Sequence, residues 1–327
     1  MKAFVTGGTG FLGRRIVRRL IERGDEVVVL AREESRAKEA AELGARIVVG
    51  DLADVDAWVD EIEGCDVVYH AGARVVSHGD WEEFVQANIV ATEKLIDAAV
   101  AAGVRRFVHV SSLGIFEIDR DGQTIDESSD YDHCPTLRGH YTRSKIDADR
   151  IACAAARTGK PVVVVRPGRI YGADHPQQPL FYGRVKKKLG DWLLVVSKPS
   201  YLTPISYVEN AADAVVAAGT AENVDGKILN VVDDPDLTQT EYFRAVCGQK
   251  GCPRRVLYLP VGLFVPAVIA VDLLHRILKR RPWSVAYQLR RSGRSARYPN
   301  DAARRELGWQ PSVGLRDAVV ETTRGPA

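Results

Sequence analysis

Cysteine is scarce in this sequence: five residues in 327, at 65, 134, 153, 247 and 252, an odd number with no regular spacing. That argues against a disulfide-stapled secreted scaffold and fits a reducing compartment. Cys247 and Cys252 form the only close pair. With no second pair or neighbouring histidine they read as ordinary thiols, so no metal is expected. An excess of one charge is also missing. Net charge is +2, from 45 Lys/Arg against 43 Asp/Glu, which gives no global electrostatic reason to bind nucleic acid. Nor is there a long apolar run. Val256–Val271 is uncharged, but it holds Pro260 and Pro266 and meets Asp272, short of the ~20 residues that cross a bilayer. Basic residues follow at 275, 276, 279, 280 and 281. This stretch reads as a buried or substrate-covering helix, with a segment resting on a membrane surface near 256–281 as the alternative. The opening MKAFVTGGTG runs straight into a strand and turn instead of a secretory leader, so a cytoplasmic setting is expected.

What is present is an ordinary globular composition, 46% hydrophobic and 27% charged. Short Val-rich runs recur at Lys2–Val5, Glu26–Leu30, Arg46–Val49, Asp66–Tyr69, Arg106–Val110 and Val162–Arg166. Helical spacing separates several of them, at Phe11–Arg23, 81–102 and 141–157. Continuous β-branched runs belong to strands covered on both faces, and their alternation with helices predicts an α/β fold with a doubly wound parallel sheet. After Gly172 the rhythm changes. Pro176 and Pro179 sit in polar sequence, Arg184–Lys188 reads as a basic helical stretch, and Lys227–Val232 as one more sheet strand. The expected organisation is a dinucleotide-binding domain over 1–172, to which 206–233 returns. A smaller, discontinuous substrate domain would take 173–205 and 234–327.

The first strand ends in Thr6-Gly7-Gly8-Thr9-Gly10-Phe11-Leu12-Gly13 and enters a helix. Gly7 permits the tight turn, Gly10 lets backbone approach a pyrophosphate, and Gly13 lets helix and strand pack closely. The helix start supplies amide donors for phosphate, so residues 7, 9, 10, 11, 12 and 13 are expected around the cofactor. The second strand ends in Leu30-Ala31-Arg32, with no acid to bind ribose hydroxyls. Arg32 instead suits a 2′-phosphate, so NADP is expected before NAD. Asp51 and Leu52, closing the third strand, are expected at the adenine. Tyr141 and Lys145 stand four residues apart, on one helix face. A phenol is a poor acid–base group near neutrality until a cation lowers its pKa, and Lys145 supplies one. Ser112, at the end of a strand, is placed to bond the same substrate oxygen.

Six ordered motifs carry a resemblance: TGGTGFLG, GDLAD, HAGA (70–73), VSSLGIF, YTRSK and RPGRIYG, with a closing RRELGWQPSVGLRDAV. Together they resemble the extended short-chain dehydrogenases/reductases, nearest to the 3β-hydroxysteroid dehydrogenase and dihydroflavonol reductase branches. The resemblance implies a Rossmann-type domain, bound NAD(P), and Ser112, Tyr141 and Lys145 as the catalytic set, with Lys145 also holding the nicotinamide ribose. It sets His70, Ala71, Gly72 and Ala73 beside the cofactor, and Pro167 and Gly168 near the nicotinamide. Asn88 matches a family asparagine and is read as structural. The resemblance also implies a homodimer through the helices near 81–102 and 141–157.

Within such a family, sugar dehydratases carry Thr-Asp-Glu where this chain has Ser112-Leu113-Gly114. Sugar epimerases usually carry an arginine where this chain reads Leu202-Thr203-Pro204-Ile205. The favoured expectation is therefore hydride transfer to or from a hydroxyl or keto group of an apolar or aromatic molecule. A nucleotide-sugar epimerase is the alternative. A non-catalytic dinucleotide-binding regulator is a third reading, opposed by the presence of all three catalytic residues.

Overall fold

The structure, a computed structural model, describes residues 1–75, 79–175, 180, 186–247, 249, 252–277 and 284–324, the side chains of 186–188, 276 and 292 excepted. Seven strands form one parallel sheet: β1 (Lys2–Thr6), β2 (Glu26–Ala31), β3 (Arg46–Val49), β4 (Val67–His70), β5 (Arg106–Val110), β6 (Val162–Pro167) and β7 (Ile228–Val231). Their order across the sheet is 3-2-1-4-5-6-7, every neighbouring pair parallel. The order reverses between β1 and β4, which opens a crevice at their carboxyl ends. Val5, Val28, Val68, Val108 and Val164 are fully buried, as residues of doubly covered strands must be. Each such side chain contributes roughly 1.5–3 kcal/mol relative to exposure.

Helix α1 (Phe11–Glu22) and α4 (Val208–Thr220) cover one face of the sheet, while α2 (Ala91–Ala101) and α3 (His140–Arg157) cover the other. α4 is locked to α1 by ions: Arg15 reaches Glu209 at 3.2 Å, and Arg19 pairs with Glu209 at 2.6 Å and with Asp213. Asn210, on the same helix, holds the closing segment. Its Nδ2 donates to the Val313 carbonyl at 2.9 Å, its Oδ1 accepts from Val313 N at 3.0 Å, and its carbonyl accepts from Trp309 Nε1 at 3.0 Å.

Three expectations change. The helix expected over 81–102 runs without a break but is not uniform: Trp81–Phe84 is α-helical, Val85–Val90 is a π-helical turn, and α2 follows. The basic stretch expected to be helical is instead a strand, Lys186–Leu189, paired antiparallel with Trp192–Val196, while 184 and 185 lie outside the described residues, as do Pro176 and Pro179. A two-residue Gly190-Asp191 link, with Gly190 at φ +56°, makes the hairpin. Trp192–Val196 also pairs in parallel with Arg255–Leu259, giving a separate three-stranded sheet. The run 256–271 is therefore not one buried helix. Pro260 ends the strand, a short 3₁₀ turn covers Val261–Leu263, and α5 (Val265–Ile277) follows with Ile269, Val271, Leu273 and Leu274 exposed. No helix among the described residues is long and apolar enough to cross a membrane.

Candidate active site

The glycine turn occupies the crevice where the sheet reverses. Gly7 adopts φ +72°, and a side chain there would sit 2.6 Å from the Gly72 backbone. At Gly13 a Cβ would lie 2.0 Å from the Gly7 carbonyl oxygen, so only glycine lets α1 start this close to β1. Gly10 differs: its added Cβ would meet only the Gly7 oxygen, at 3.1 Å, and otherwise open space. Gly10 is also the N-cap of α1, which has no side-chain cap and no acid in its first turn. An uncapped helix start beside open space fits the pyrophosphate of a dinucleotide, and Thr9, Phe11 and Leu12 flank it.

The remaining cofactor-side residues gather round this turn. Ala71 N donates to the Thr6 carbonyl and Gly72 N to Thr6 Oγ1, both at 3.2 Å, which ties the 71–73 loop to the end of β1. Leu52 leans on Gly72: its Cδ1 would stand 2.7 Å from a Cβ there. Asp51 is exposed and its Oδ1 accepts from Ala53 N, closing a local turn. Arg32 is exposed just beyond β2. The His70 side chain faces inward instead, hydrogen-bonded to Thr6 Oγ1 at 2.7 Å and Thr92 Oγ1 at 3.0 Å. Burial, with Lys145 nearby, brings its pKa down to about 3, so it is a neutral interior link.

Across the crevice, α3 starts after Gly139 at φ +91°, which puts Tyr141 in the first helical turn and Lys145 one turn on. Burial pushes the Tyr141 phenol up, opposed by the charge of Arg169 from the strand Arg169–Tyr171. The positive end of the helix also favours a phenolate at this position. Lys145 Nζ donates to the Val110 carbonyl at 2.8 Å, at the end of β5. Burial lowers its pKa to about 8, with Asp149 pulling the other way. Ser112 lies two residues past β5, its Oγ accepting from Gly114 N at 3.1 Å.

Beneath this set lies a buried ion pair, Arg166 Nη2 to Asp149 Oδ2 at 2.6 Å, with Tyr131 O–H donating to the same oxygen at 2.8 Å. Arg166 therefore props α3 against β6, whereas Pro167 and Gly168 carry the strand end toward the crevice. Asn88, in the π-helical turn, donates to Ser144 Oγ at 2.8 Å and accepts from Arg74 N at 2.6 Å. It joins the loop after β4 to the tyrosine helix, a structural role. Arg169 and Asp149 escape a sequence reading. Asp149 is four residues after Lys145 on one helix face, a spacing that could have revealed it. Nothing local marks Arg169.

A parallel sheet with a glycine turn at its reversal point, and a tyrosine–lysine helix across from it, defines a dinucleotide-dependent oxidoreductase. The chain belongs to the NAD dependent epimerase/dehydratase family, whose model matches residues 3–231, and is an enzyme of the extended short-chain dehydrogenase/reductase type. It is 30% identical over 316 residues to the 4-hydroxy-2-methyl-3-oxo-4-farnesyl-3,4-dihydroquinoline-1-oxide ketoreductase of Stigmatella aurantiaca, covering 96% of this chain and 93% of that protein. It is 25% identical to the decarboxylating sterol-4-alpha-carboxylate 3-dehydrogenase of Dictyostelium discoideum, over 97% of this chain and 98% of that one. Among solved structures, a short-chain dehydrogenase/reductase superfamily protein from Agrobacterium tumefaciens with bound NAD shares the fold, with TM-score 0.75, 19% identity, and coverage of 99% and 97%.

Proposed function

We propose that the protein transfers hydride between a nicotinamide dinucleotide, NADP(H) in preference to NAD(H), and a hydroxyl or keto group of an apolar or aromatic small molecule. The observation that carries this reading is Tyr141 in the first turn of α3, half-buried, with Arg169 acting on its phenol. Burial keeps that phenol protonated at neutral pH, ready to give its proton to a carbonyl oxygen. Ser112 donates a hydrogen bond to the same oxygen and orients it. Lys145, still largely an ammonium at pH 7, holds the cofactor ribose, and Arg169, not the expected Lys145, is the cation that favours the phenolate left behind. The dinucleotide supplies the hydride.

Two observations support the substrate class. The stretch where a sugar-diphosphate arginine is expected holds buried Thr203 and Ile205 instead, and the Stigmatella relative is named as the ketoreductase of a farnesylated 3-oxo-dihydroquinoline. NADP rests on the exposed Arg32 and the absence of an acid at the end of β2. Residues 173–205 and 234–327 serve in this reading as the substrate domain, and the helices near 81–102 and 141–157 as the face of a homodimer.

Titration calorimetry with NADPH, NADH and UDP-glucose, followed by NADPH oxidation with a panel of apolar ketones, tests the proposal. Tyr141→Phe should lower turnover by roughly 10²–10⁴-fold while leaving NADPH affinity unchanged. Tight UDP-glucose binding, or a Tyr141→Phe enzyme that keeps its rate, would overturn it.

A further inference from the structure

Helix α5 is built inside out. Its one charged residue before the last turn, Asp272, is 9% exposed. Asp272 accepts from Ser284 Oγ at 2.5 Å, Val285 N at 3.0 Å and Ala286 N at 2.9 Å. The carboxylate thus caps the helix Val285–Ser292 and is spent inside the fold. Among the described side chains the outward residues are all apolar: Ile269 is 42% exposed, Val271 45%, Leu273 59%, Leu274 55% and Ile277 70%, and Leu263 just upstream reaches 70%. At about 100° per residue, the outward positions from Pro266 to Ile277 sweep roughly 200° of the helix. A surface helix in water shows the reverse arrangement, with charge outward.

The charge around this helix says what covers it. Between 260 and 295 there are seven Lys/Arg and one acid, Asp272. That is a local net of +6, against +2 for the whole chain. Two of the seven, Arg291 and Arg294, bond the carbonyls of Phe116 and Ile118 and so brace the segment. Arg290 is exposed on the neighbouring helix, and Lys279-Arg280-Arg281 follow α5 in sequence. An apolar helix face in a stretch of sequence this rich in cations matches the boundary of an anionic bilayer, where acyl chains receive the side chains and phosphates receive the cations. Over its thirteen described residues α5 is about 20 Å long, less than a bilayer core requires. We propose that α5 lies in the plane of an anionic phospholipid surface and holds the enzyme there as a peripheral protein. This inference stands apart from the substrate reading above.

The test is co-sedimentation of the full chain with phosphatidylcholine vesicles, with and without 30% phosphatidylglycerol (roughly the anionic content that polybasic segments respond to). The protein should pellet with the anionic vesicles and much less with the neutral ones. Leu273→Ser/Ile277→Ser should lower vesicle affinity by about 10-fold or more, and Arg280→Glu/Arg281→Glu should remove the preference for anionic lipid. Both variants should keep the wild-type melting temperature and NADPH affinity, which separates lost binding from lost folding and from failure of the cofactor reading. No binding to either vesicle overturns the proposal, as does binding that the serine variant leaves intact. Sedimentation velocity decides against it in a second way: a wild-type dimer that the serine variant turns into a monomer would mean that a second copy covers the helix. A serine variant that keeps full vesicle binding but raises the KM for an apolar ketone would make α5 a substrate cover instead.

Discussion

Asp233→Asn is the substitution whose effect the structure states most fully. Asp233 follows β7 and accepts from Tyr207 N at 2.7 Å, on a wall shared with Tyr171 and Tyr242. Burial is the main influence on its carboxyl and pushes the pKa up to about 7; the neighbouring Asp234 adds to this, and the bond from Tyr207 only partly opposes it. In the unfolded chain the same group ionises near 3.8. Between those values the native state keeps a proton that the unfolded chain has released, so stability falls as pH rises from 4 to 7 and is level above 7. Three pH units correspond to about 4 kcal/mol at most. Asp233 retains some surface, so about 2 kcal/mol is the working figure. Asparagine keeps the carbonyl that accepts from Tyr207 N and removes the titration. Urea unfolding at pH 5, 6, 7 and 8 should show the variant more stable than wild type by about 2 kcal/mol at pH 8, with the gap narrowing steadily toward pH 5. A constant gap across the series, or a variant less stable at pH 8, would refute the account.

The remaining predictions concern the crevice. Gly13→Ala puts a methyl 2.0 Å from the Gly7 oxygen and should cost about 3 kcal/mol of stability or the NADPH site itself; unchanged melting and unchanged affinity would contradict the packing argument. Arg32→Ala should weaken NADPH binding far more than NADH binding, and equal losses in calorimetry would remove the 2′-phosphate contact. Asp149→Asn leaves the Arg166 guanidinium buried without its counter-charge and should cost about 3–5 kcal/mol in urea unfolding. A loss below about 1 kcal/mol would mean that water reaches the pair.

The nucleotide-binding part was legible because its signals are local. Gly13 is dictated by a contact within its own turn and Gly7 by its positive φ, and Val27–Val29 or Val162–Val165 can only be strands covered on both sides. Tyr141 and Lys145 were legible because a helix converts a spacing of four into one face. Elsewhere the deciding contacts are distant. Arg169 acts on Tyr141 only because β6 ends beside α3, and His70 turns inward because Thr6 and Thr92 meet it there. The run Lys186–Leu189 carries a helix-like composition, yet the Gly190-Asp191 turn and the partner strand Trp192–Val196 make it β. Helix α5 misled for a related reason: apolar residues ordinarily face inward, and only the bonds of Asp272 to the next helix reveal that this one is turned round.

The ion pairs between α1 and α4 also govern when this chain becomes a protein. Arg15 waits for Asp174, 159 residues further along, and for Glu209, 194 residues on, and Arg19 for the same glutamate 190 residues on. Asn210 must in turn await Trp309, 99 residues later. A nascent chain emerging from the ribosome has the glycine turn and four strands of its sheet long before anything covers the outer side of α1. Through that interval the flank of α1 that carries Arg15 and Arg19, covered by α4 in the finished fold, stays open to solvent and to neighbouring chains. Contacts this remote in sequence slow folding and lengthen exposure to aggregation, so yield from synthesis should depend on chaperone supply more than the stability of the finished fold would indicate.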